Sequence, residues 1–170
     1  QKNNEIYLAD LLLAKTGMPA KESKQDKSIR PNQLFAITLG VIGQNSLAND
    51  ILATTEKLLV PGAIRSLADE PVNNYISEYH DNLDENDRNH PYQGIYIGDE
   101  DSQRKPAYHN GTAWTWPFPS FVEALLITYG SDINSQARAL LSSASILLEN
   151  GCVGHLPEIL DGNTPHYQRG

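Results

Sequence analysis

The stretch between residues 68 and 118 constrains the fold more than any other feature of the sequence. It is rich in proline, glycine, asparagine and aspartate, which form turns and interrupt helices and strands. A shorter polar stretch at residues 15–31 contains Gly17, Pro19 and Pro31. Long connections of this kind are uncommon in a compact domain and usually carry function. We therefore expect regular elements that support two long loops, with the functional groups in or beside the loops.

Apolar residues at helical spacing predict the elements between the loops. Ser46 and Asp132 stand where a helix N-cap would lie, and Gly130 follows an apolar run as a helix stop. The last two helices are separated by a couple of residues, so we expect them to form an antiparallel hairpin. The predicted helices cover residues 5–14, 32–42, 46–59, 119–129 and 132–149.

The predicted fold class is mainly α, with paired helices joined by alternating short and long connections. Short extended segments are expected at residues 94–97 and 152–156. At 170 residues the chain is long enough for one domain with a core of useful size.

Charge and composition narrow the range of partners. The formal net charge is −8, and the basic stretch at residues 21–30 also contains Glu22 and Asp26. Nucleic-acid binding needs clustered lysine and arginine, so we expect no nucleic-acid partner. No apolar run approaches the roughly 20 residues that span a membrane, so we expect no membrane partner. The single cysteine, Cys152, excludes an internal disulfide and favours a reducing, cytoplasmic location.

Metal and cofactor sites have little support in the sequence. The five histidines include no pair at helical ligand spacing, and there is no cysteine cluster for zinc. The acidic residues between positions 81 and 87 lack the alternate spacing and central glycine of a calcium loop. We therefore expect neither a metal nor a cofactor.

The first segment that could carry chemistry is residues 154–162. It holds Glu158 and Asp161 among apolar residues, with Pro157 and Gly162 fixing the backbone. A carboxylate held in such a loop could act as a general base, because burial and neighbouring groups set its pKa and the orientation of its side chain. The segment could equally be an acidic turn with a capping aspartate, and spacing leaves both interpretations open.

Two further segments are candidates for binding. Flat aromatic faces beside hydrogen-bonding groups suit sugar rings. Tryptophan side chains can equally be buried in the core, where they anchor a loop. Residues 108–117 offer Tyr108, His109, Asn110, Trp114 and Trp116. Residues 29–33 offer Arg30, Asn32 and Gln33, which either fix the loop and cap a helix or line a polar pocket.

Four motifs resemble those of amylo-α-1,6-glucosidase domains, the C-terminal catalytic domains of glycogen debranching enzymes. Residues 30–37 (RPNQLFAI) resemble the family's RPNQ-FA segment, and residues 58–67 (LLVPGAIRSL) look like its LLTP-GLRTL segment. Residues 108–114 (YHNGTAW) resemble YHxGTxWPW, and residues 155–162 (HLPEILDG) look like SEIFDG. The motifs stand in the family's order and span residues 29–170.

The resemblance implies part of an (α/α)6 toroid, in which helical hairpins carry long loops at the active-site end. It also implies hydrolysis of the α-1,6-glucosidic branch points of glycogen-like glucans, with inversion at the anomeric carbon. Inversion requires two carboxyl groups roughly 6.5–9.5 Å apart, with a water between one of them and the sugar. The implied partners are a branched α-glucan or oligosaccharide and either the rest of the parent toroid or a second copy, through exposed apolar helix faces.

The resemblance also assigns residues. Glu158 matches the family's general base, and His109, Trp114 and Trp116 match a substrate-pocket motif. Other residues in the four motifs belong either to the pocket or to its structural support. These are Arg30, Asn32, Gln33, Arg65, Tyr108, Asn110, His155 and Asp161.

Some features depart from the family pattern. Thr115 stands where the first proline of the WPW motif is usual, and residues 60–63 differ from the TP-G turn. The family's general acid is an aspartate in an upstream WMDA-like segment, which has no counterpart here, and a further helix follows in the family. We therefore expect residues 1–170 to be the C-terminal part of a catalytic domain, truncated at both ends and inactive in isolation.

Two alternatives stay open. The chain could belong to a related (α/α)6 glycosidase that acts on another glycoside. In that case the 68–107 loop, with Tyr75, Tyr79, Tyr92 and Tyr96, would set the substrate. It could also be a non-catalytic carbohydrate-binding or interaction module.

Overall fold

The computed structural model describes residues 5–72, 89–151 and 153–169. In this part of the chain helices combine with short strands. The α-helices are α1 (Leu34–Thr38), α2 (Ser46–Glu56), α3 (Lys105–Tyr108), α4 (Phe118–Tyr129) and α5 (Asn134–Ser142). The strands are β1 (Leu11–Leu13), β2 (Lys24–Asp26), β3 (Leu59–Val60), β4 (Ala63–Arg65), β5 (Ala113–Trp114) and β6 (Ile159–Leu160). Short 3-10 helices cover Ala20–Glu22, Pro31–Gln33, Gly130–Ile133 and Ser143–Glu149, and a π-helical segment covers Glu100–Arg104.

The main apolar core lies between α1, α2 and α4. Ile37 on α1, Ile51 on α2 and Phe121 on α4 are buried together in it. Helix α2 begins as its sequence predicts, but Asn45, rather than Ser46, is the N-cap, because the Asn45 side chain accepts the backbone N–H of Ala48 at 3.1 Å. Such a cap satisfies one of the backbone donors that a helix start leaves unpaired.

Helices α4 and α5 pack against one another, which is the contact that their short connection favours. Helix α4 ends where Gly130 takes a φ of +73°, a conformation that glycine adopts without strain. The predicted Asp132 cap is wrong, because α5 begins at Asn134 without a side-chain cap and a 3-10 turn precedes it. The predicted helix over 132–149 is therefore three successive helical segments.

A four-stranded antiparallel sheet, in the order β3-β4-β5-β6, joins the distant motifs. Ile64 pairs with Trp114, which in turn pairs with Ile159. Neighbouring side chains alternate between the two faces of a sheet, so Ala113 and Leu160 point the other way, into a second apolar cluster with Leu147. The sheet thereby fixes the 108–116 segment beside the 155–162 segment, although they lie far apart in sequence.

The prediction for the first segment is wrong. Residues 5–14 form no helix; β1 pairs antiparallel with β2, with Leu11 opposite Asp26. The strands predicted at 94–97 and over the described residues 153–156 do not form either. Among the described residues, no helix is long and apolar enough to cross a membrane.

Candidate functional site

An aromatic cluster forms where α3 ends and β5 begins. The rings of His109 and Trp114 are stacked, with centroids 5.3 Å apart and planes at 6°. Tyr108 meets the Trp114 ring edge-on at 4.5 Å and the His109 ring edge-on at 4.8 Å. The Trp114 indole Nε1 donates to the Tyr108 carbonyl at 3.1 Å, so the cluster satisfies its own polar group. Three side chains of the predicted YHNGTAW segment therefore pack together in one cluster.

Glu158 lies against this cluster. The Tyr108 hydroxyl donates to Glu158 Oε1 at 3.1 Å. The sheet sets the position, because the Thr115 N–H donates to the Glu158 carbonyl at 3.3 Å just beyond the β5–β6 pairing. The Glu158 side chain is exposed, so its carboxylate is open to water. Burial, and then the hydrogen bond to Glu158, raise the pKa of the Tyr108 hydroxyl.

A cavity of 290 Å³ opens on the His109–Trp114 side of the cluster. It brings together five of the predicted site residues, namely Arg30, Asn32, His109, Trp114 and Trp116. Its wall therefore combines indole rings with amide and charged groups. It is close to the lower limit of the size of ligand pockets, about 300 Å³.

Arg30 holds the wall of the cavity in place. Its side chain is 8% exposed and pairs with Asp10, with Nε 3.1 Å from Oδ2. Nη2 donates to Asn110 Oδ1 at 2.9 Å, and Nη1 donates to the carbonyls of Ser66, at 3.1 Å, and His109. The sequence left open whether Arg30 fixes a loop or lines a pocket. In the structure it does both, because its guanidinium bonds to two loops and its side chain lines the cavity.

Asp10 was not a predicted site residue, yet it lines the cavity. Its Oδ1 accepts the Asn32 side-chain amide at 3.2 Å, and its Oδ2 pairs with Arg30. A lone aspartate before a leucine run gives no signal in the sequence. The pairing of β1 with β2 brings it next to Arg30, and that pairing was not predicted.

Seven predicted residues lie outside the cavity wall. Glu158, Tyr108 and Asn110 make the contacts described above, and the other four are Asp161, Arg65, Gln33 and His155. Asp161 is buried and its carboxylate pairs with the Arg169 guanidinium, with Nη2 2.6 Å from Oδ2. The Arg65 Nε donates to the Gly162 carbonyl at 2.8 Å. The buried Gln33 amide accepts from the Leu8 N–H at 3.3 Å and donates to the Arg30 carbonyl at 3.1 Å. His155 is exposed. The contacts of Asp161, Arg65 and Gln33 fix backbone segments around the site.

Three backbone segments cross tightly beneath the site. Gly111 has a φ of +144°, and a Cβ there would lie 2.5 Å from the Gln93 carbonyl oxygen. A Cβ on Gly162 would lie 2.0 Å from the Gly111 carbonyl oxygen. Only glycine can occupy these two positions without moving the backbone, which explains the glycines in both motifs.

Several sequence-based statements lie outside the described residues. They concern Tyr75, Tyr79, Cys152 and the acidic residues between 81 and 87. Among the residues that the structure describes, no group of three or more His, Cys, Asp or Glu side chains is placed to hold a metal ion.

Indole rings around a cavity with amide and carboxylate groups on its wall are typical of a carbohydrate site. The make-up of the cavity wall thus suits a carbohydrate-active protein. The family whose sequence model is described as Amylo-alpha-1,6-glucosidase matches residues 7–170, and the chain belongs to this family. The family suspected from the four motifs is confirmed, and with it a relation to the glycoside hydrolases of glycogen debranching. Searches among curated proteins and among solved structures found no match.

Proposed function

We propose that this chain is part of the catalytic domain of a glycoside hydrolase that cleaves the α-1,6-glucosidic branch points of glycogen-like glucans with inversion. The observation that carries the proposal is the contact of Glu158 with the aromatic cluster, through the Tyr108 hydroxyl at 3.1 Å. That contact holds a water-accessible carboxylate beside rings that suit a sugar. The match to the family supplies the class of substrate.

In this proposal Glu158 is the general base. Its carboxylate removes a proton from a water molecule, whose oxygen attacks the anomeric carbon as the bond to the 6-oxygen of the next glucose breaks. The Tyr108 hydroxyl donates to one carboxylate oxygen and leaves the other to accept the proton. The indole and imidazole rings of Trp114 and His109 hold the sugar in the cavity.

The leaving 6-oxygen needs a proton from a second carboxyl group. Asp10 lines the cavity, but Arg30 and the Asn32 amide already engage both of its carboxylate oxygens. The WMDA-like segment that carries the family's general acid has no counterpart in this sequence. We therefore propose that the general acid comes from residues outside these 170, and that the 170-residue chain alone has no glucosidase activity. Turnover of an α-1,6-linked substrate by this chain would contradict that statement.

The same proposal covers the architecture and the cellular setting. We propose that the helical hairpins belong to an (α/α)6 toroid, supported by the packing of α4 on α5 and by the loops that carry the site. Exposed apolar side chains after α5, namely Ile146 and Leu148, suit contact with the rest of a toroid or with a second copy. A cytoplasmic location is proposed, as suits an enzyme acting on glycogen.

The proposal is tested by steady-state kinetics of Glu158→Gln in the active enzyme that contains this chain. We expect kcat to fall by about 10²–10⁴-fold with little change in KM, because the amide cannot accept the proton from water. Glu123→Gln, an exposed glutamate on α4, is the matched control and should be neutral. An unchanged kcat in Glu158→Gln would remove Glu158 from the mechanism. Parallel assays on α-1,4-linked and trehalose-type glycosides distinguish a related glycosidase with another substrate.

A further inference from the structure

The two tryptophans of this chain occupy different environments. Trp114 is 8% exposed, whereas Trp116, two residues later, is 60% exposed. Both line the 290 Å³ cavity, so Trp116 stands at its rim with much of its ring in solvent. An indole of this size is usually well buried, and leaving its apolar surface in water costs free energy.

The exposed indole is held in a fixed orientation. The Phe35 ring on α1 stacks against it, with centroids 6.1 Å apart and planes at 14°. Leu39, one helical turn after Phe35, is 77% exposed and extends the apolar surface beyond the pair. One face of Trp116 is thus backed by Phe35 and the ring is substantially open to solvent. A preorganised aromatic surface loses little conformational entropy when a ligand stacks on it.

We propose that Trp116, positioned by Phe35, is a platform for a glucose unit of the glucan chain outside the cavity, beyond the bond that is cleaved. The substrate class rests on the proposed function. A neutral sugar fits because the platform is flat and apolar and continues into a cavity with a polar wall, where Asn32 and Asp10 meet sugar hydroxyls. Trp116 contacts the sugar, and Phe35 acts through Trp116 as a positioning residue.

The proposal predicts that longer α-glucans bind more tightly than isomaltose. It further predicts that they shield Trp116 from the solvent. Because the chain has two tryptophans and one is buried, collisional quenching of its fluorescence by acrylamide reports mainly on Trp116. We expect maltoheptaose to reduce the quenching constant of the 170-residue chain by at least about half, whereas isomaltose, filling the cavity, reduces it less.

Variants separate the platform from the rest of the site. A stacked aromatic ring contributes about 0.5–1.5 kcal/mol, so Trp116→Leu should weaken maltoheptaose binding about 2–12-fold in calorimetric titration. Phe35→Leu keeps an apolar side chain but removes the flat backing, and should weaken binding while Trp116 becomes more mobile, seen as lower fluorescence anisotropy. Tyr129→Leu, an exposed aromatic on α4, is the matched control and should bind as the parent does.

Three results would overturn the platform. The first is that maltoheptaose binds but leaves the acrylamide quenching constant unchanged. The second is that Trp116→Leu binds maltoheptaose as tightly as the parent does. The third is that a higher protein concentration shields Trp116 without any glucan, which would mean that a second copy covers it. A failure of Glu158→Gln to lower kcat would leave these binding results unaffected, so the proposed general base and the platform fail independently.

Discussion

Replacing Arg30 by lysine tests how the site is held together. The guanidinium donates to four groups on three separate segments: the Asp10 carboxylate, the Ser66 and His109 carbonyls and the Asn110 side chain. Lysine keeps the positive charge but lacks the planar fork, so it cannot reach all four acceptors from one position. The substitution therefore breaks hydrogen bonds while leaving the net charge unchanged.

The expected loss follows from the number of contacts. A hydrogen bond to a charged group contributes about 1.5–3 kcal/mol, and a buried acceptor left without a donor costs about 1–3 kcal/mol. If the lysine ammonium keeps Asp10 and one carbonyl, two contacts to Arg30 are lost. Because the surroundings relax and solvent enters, we expect Arg30→Lys to lower the free energy of unfolding by about 3–5 kcal/mol.

Urea unfolding measures this loss. The change in midpoint multiplied by the m-value gives the free-energy difference, provided that circular dichroism and tryptophan fluorescence report the same transition. Arg138→Lys, an exposed arginine on α5, is the matched control and should stay within about 0.5 kcal/mol of the parent. A loss below about 1 kcal/mol for Arg30→Lys would refute the view that this guanidinium organises the loops.

Two further predictions concern the loop crossing and the tyrosine. Gly162→Ala should lower the free energy of unfolding by about 2–4 kcal/mol, because its Cβ would meet the Gly111 carbonyl oxygen at 2.0 Å, whereas Gly43→Ala, with open space around it, should not destabilise the chain. If Gly162→Ala were as stable as the parent chain in thermal unfolding, the close approach of these two backbone segments would be contradicted. Burial and the bond to Glu158 raise the pKa of Tyr108, so the stability this contributes is fully present below pH ~10 and is lost as the pH rises through the raised pKa. In an ultraviolet titration, Tyr108→Phe should remove a tyrosine that ionises above the usual pH for tyrosine. Loss of a tyrosine that ionises at the usual pH would contradict the contact between Tyr108 and Glu158.

The helical core could be predicted from the sequence because its signals are local. Helix α4 follows from an apolar periodicity bounded by prolines and by Gly130, whose positive φ ends the helix. Helix α2 follows in the same way, and its cap moved by one residue, to Asn45, because asparagine and serine are both good caps. Signals of this kind depend on residues within a few positions of each other.

The sheet could not be predicted, because its strands are only two or three residues long. Trp114 and Ile159 form a pair across the sheet, and neither strand has room for an alternating pattern. The error at residues 5–14 has a related cause, since the continuous run Leu11–Leu13 fits a helix or a strand equally well. The partner strand β2, which decides between them, lies beyond a turn.

The residues of the candidate site likewise include some that the sequence could identify and others that it could not. The motifs identified Glu158 and the aromatic cluster, which the structure brings into contact. Asp10 and Phe35 could not be found, because a single aspartate and a single phenylalanine acquire a role here only through the residues that the fold places beside them. Asp161 was expected either in the pocket or in its structural support, and its carboxylate pairs with the Arg169 guanidinium.

Azide rescue of Glu158→Ala in the active enzyme tests the general base most directly. With α-glucosyl fluoride as substrate, fluoride leaves without a proton, so the assay isolates the base from the acid. Azide needs no base and fits the space of the lost carboxylate; it attacks the anomeric carbon from the opposite face while the carbon–fluorine bond breaks. We expect azide to restore the consumption of α-glucosyl fluoride, and NMR spectra should show β-glucosyl azide as the product. Full activity of Glu158→Ala without azide, or α-glucosyl azide as the product, would contradict an inverting mechanism with Glu158 as the base.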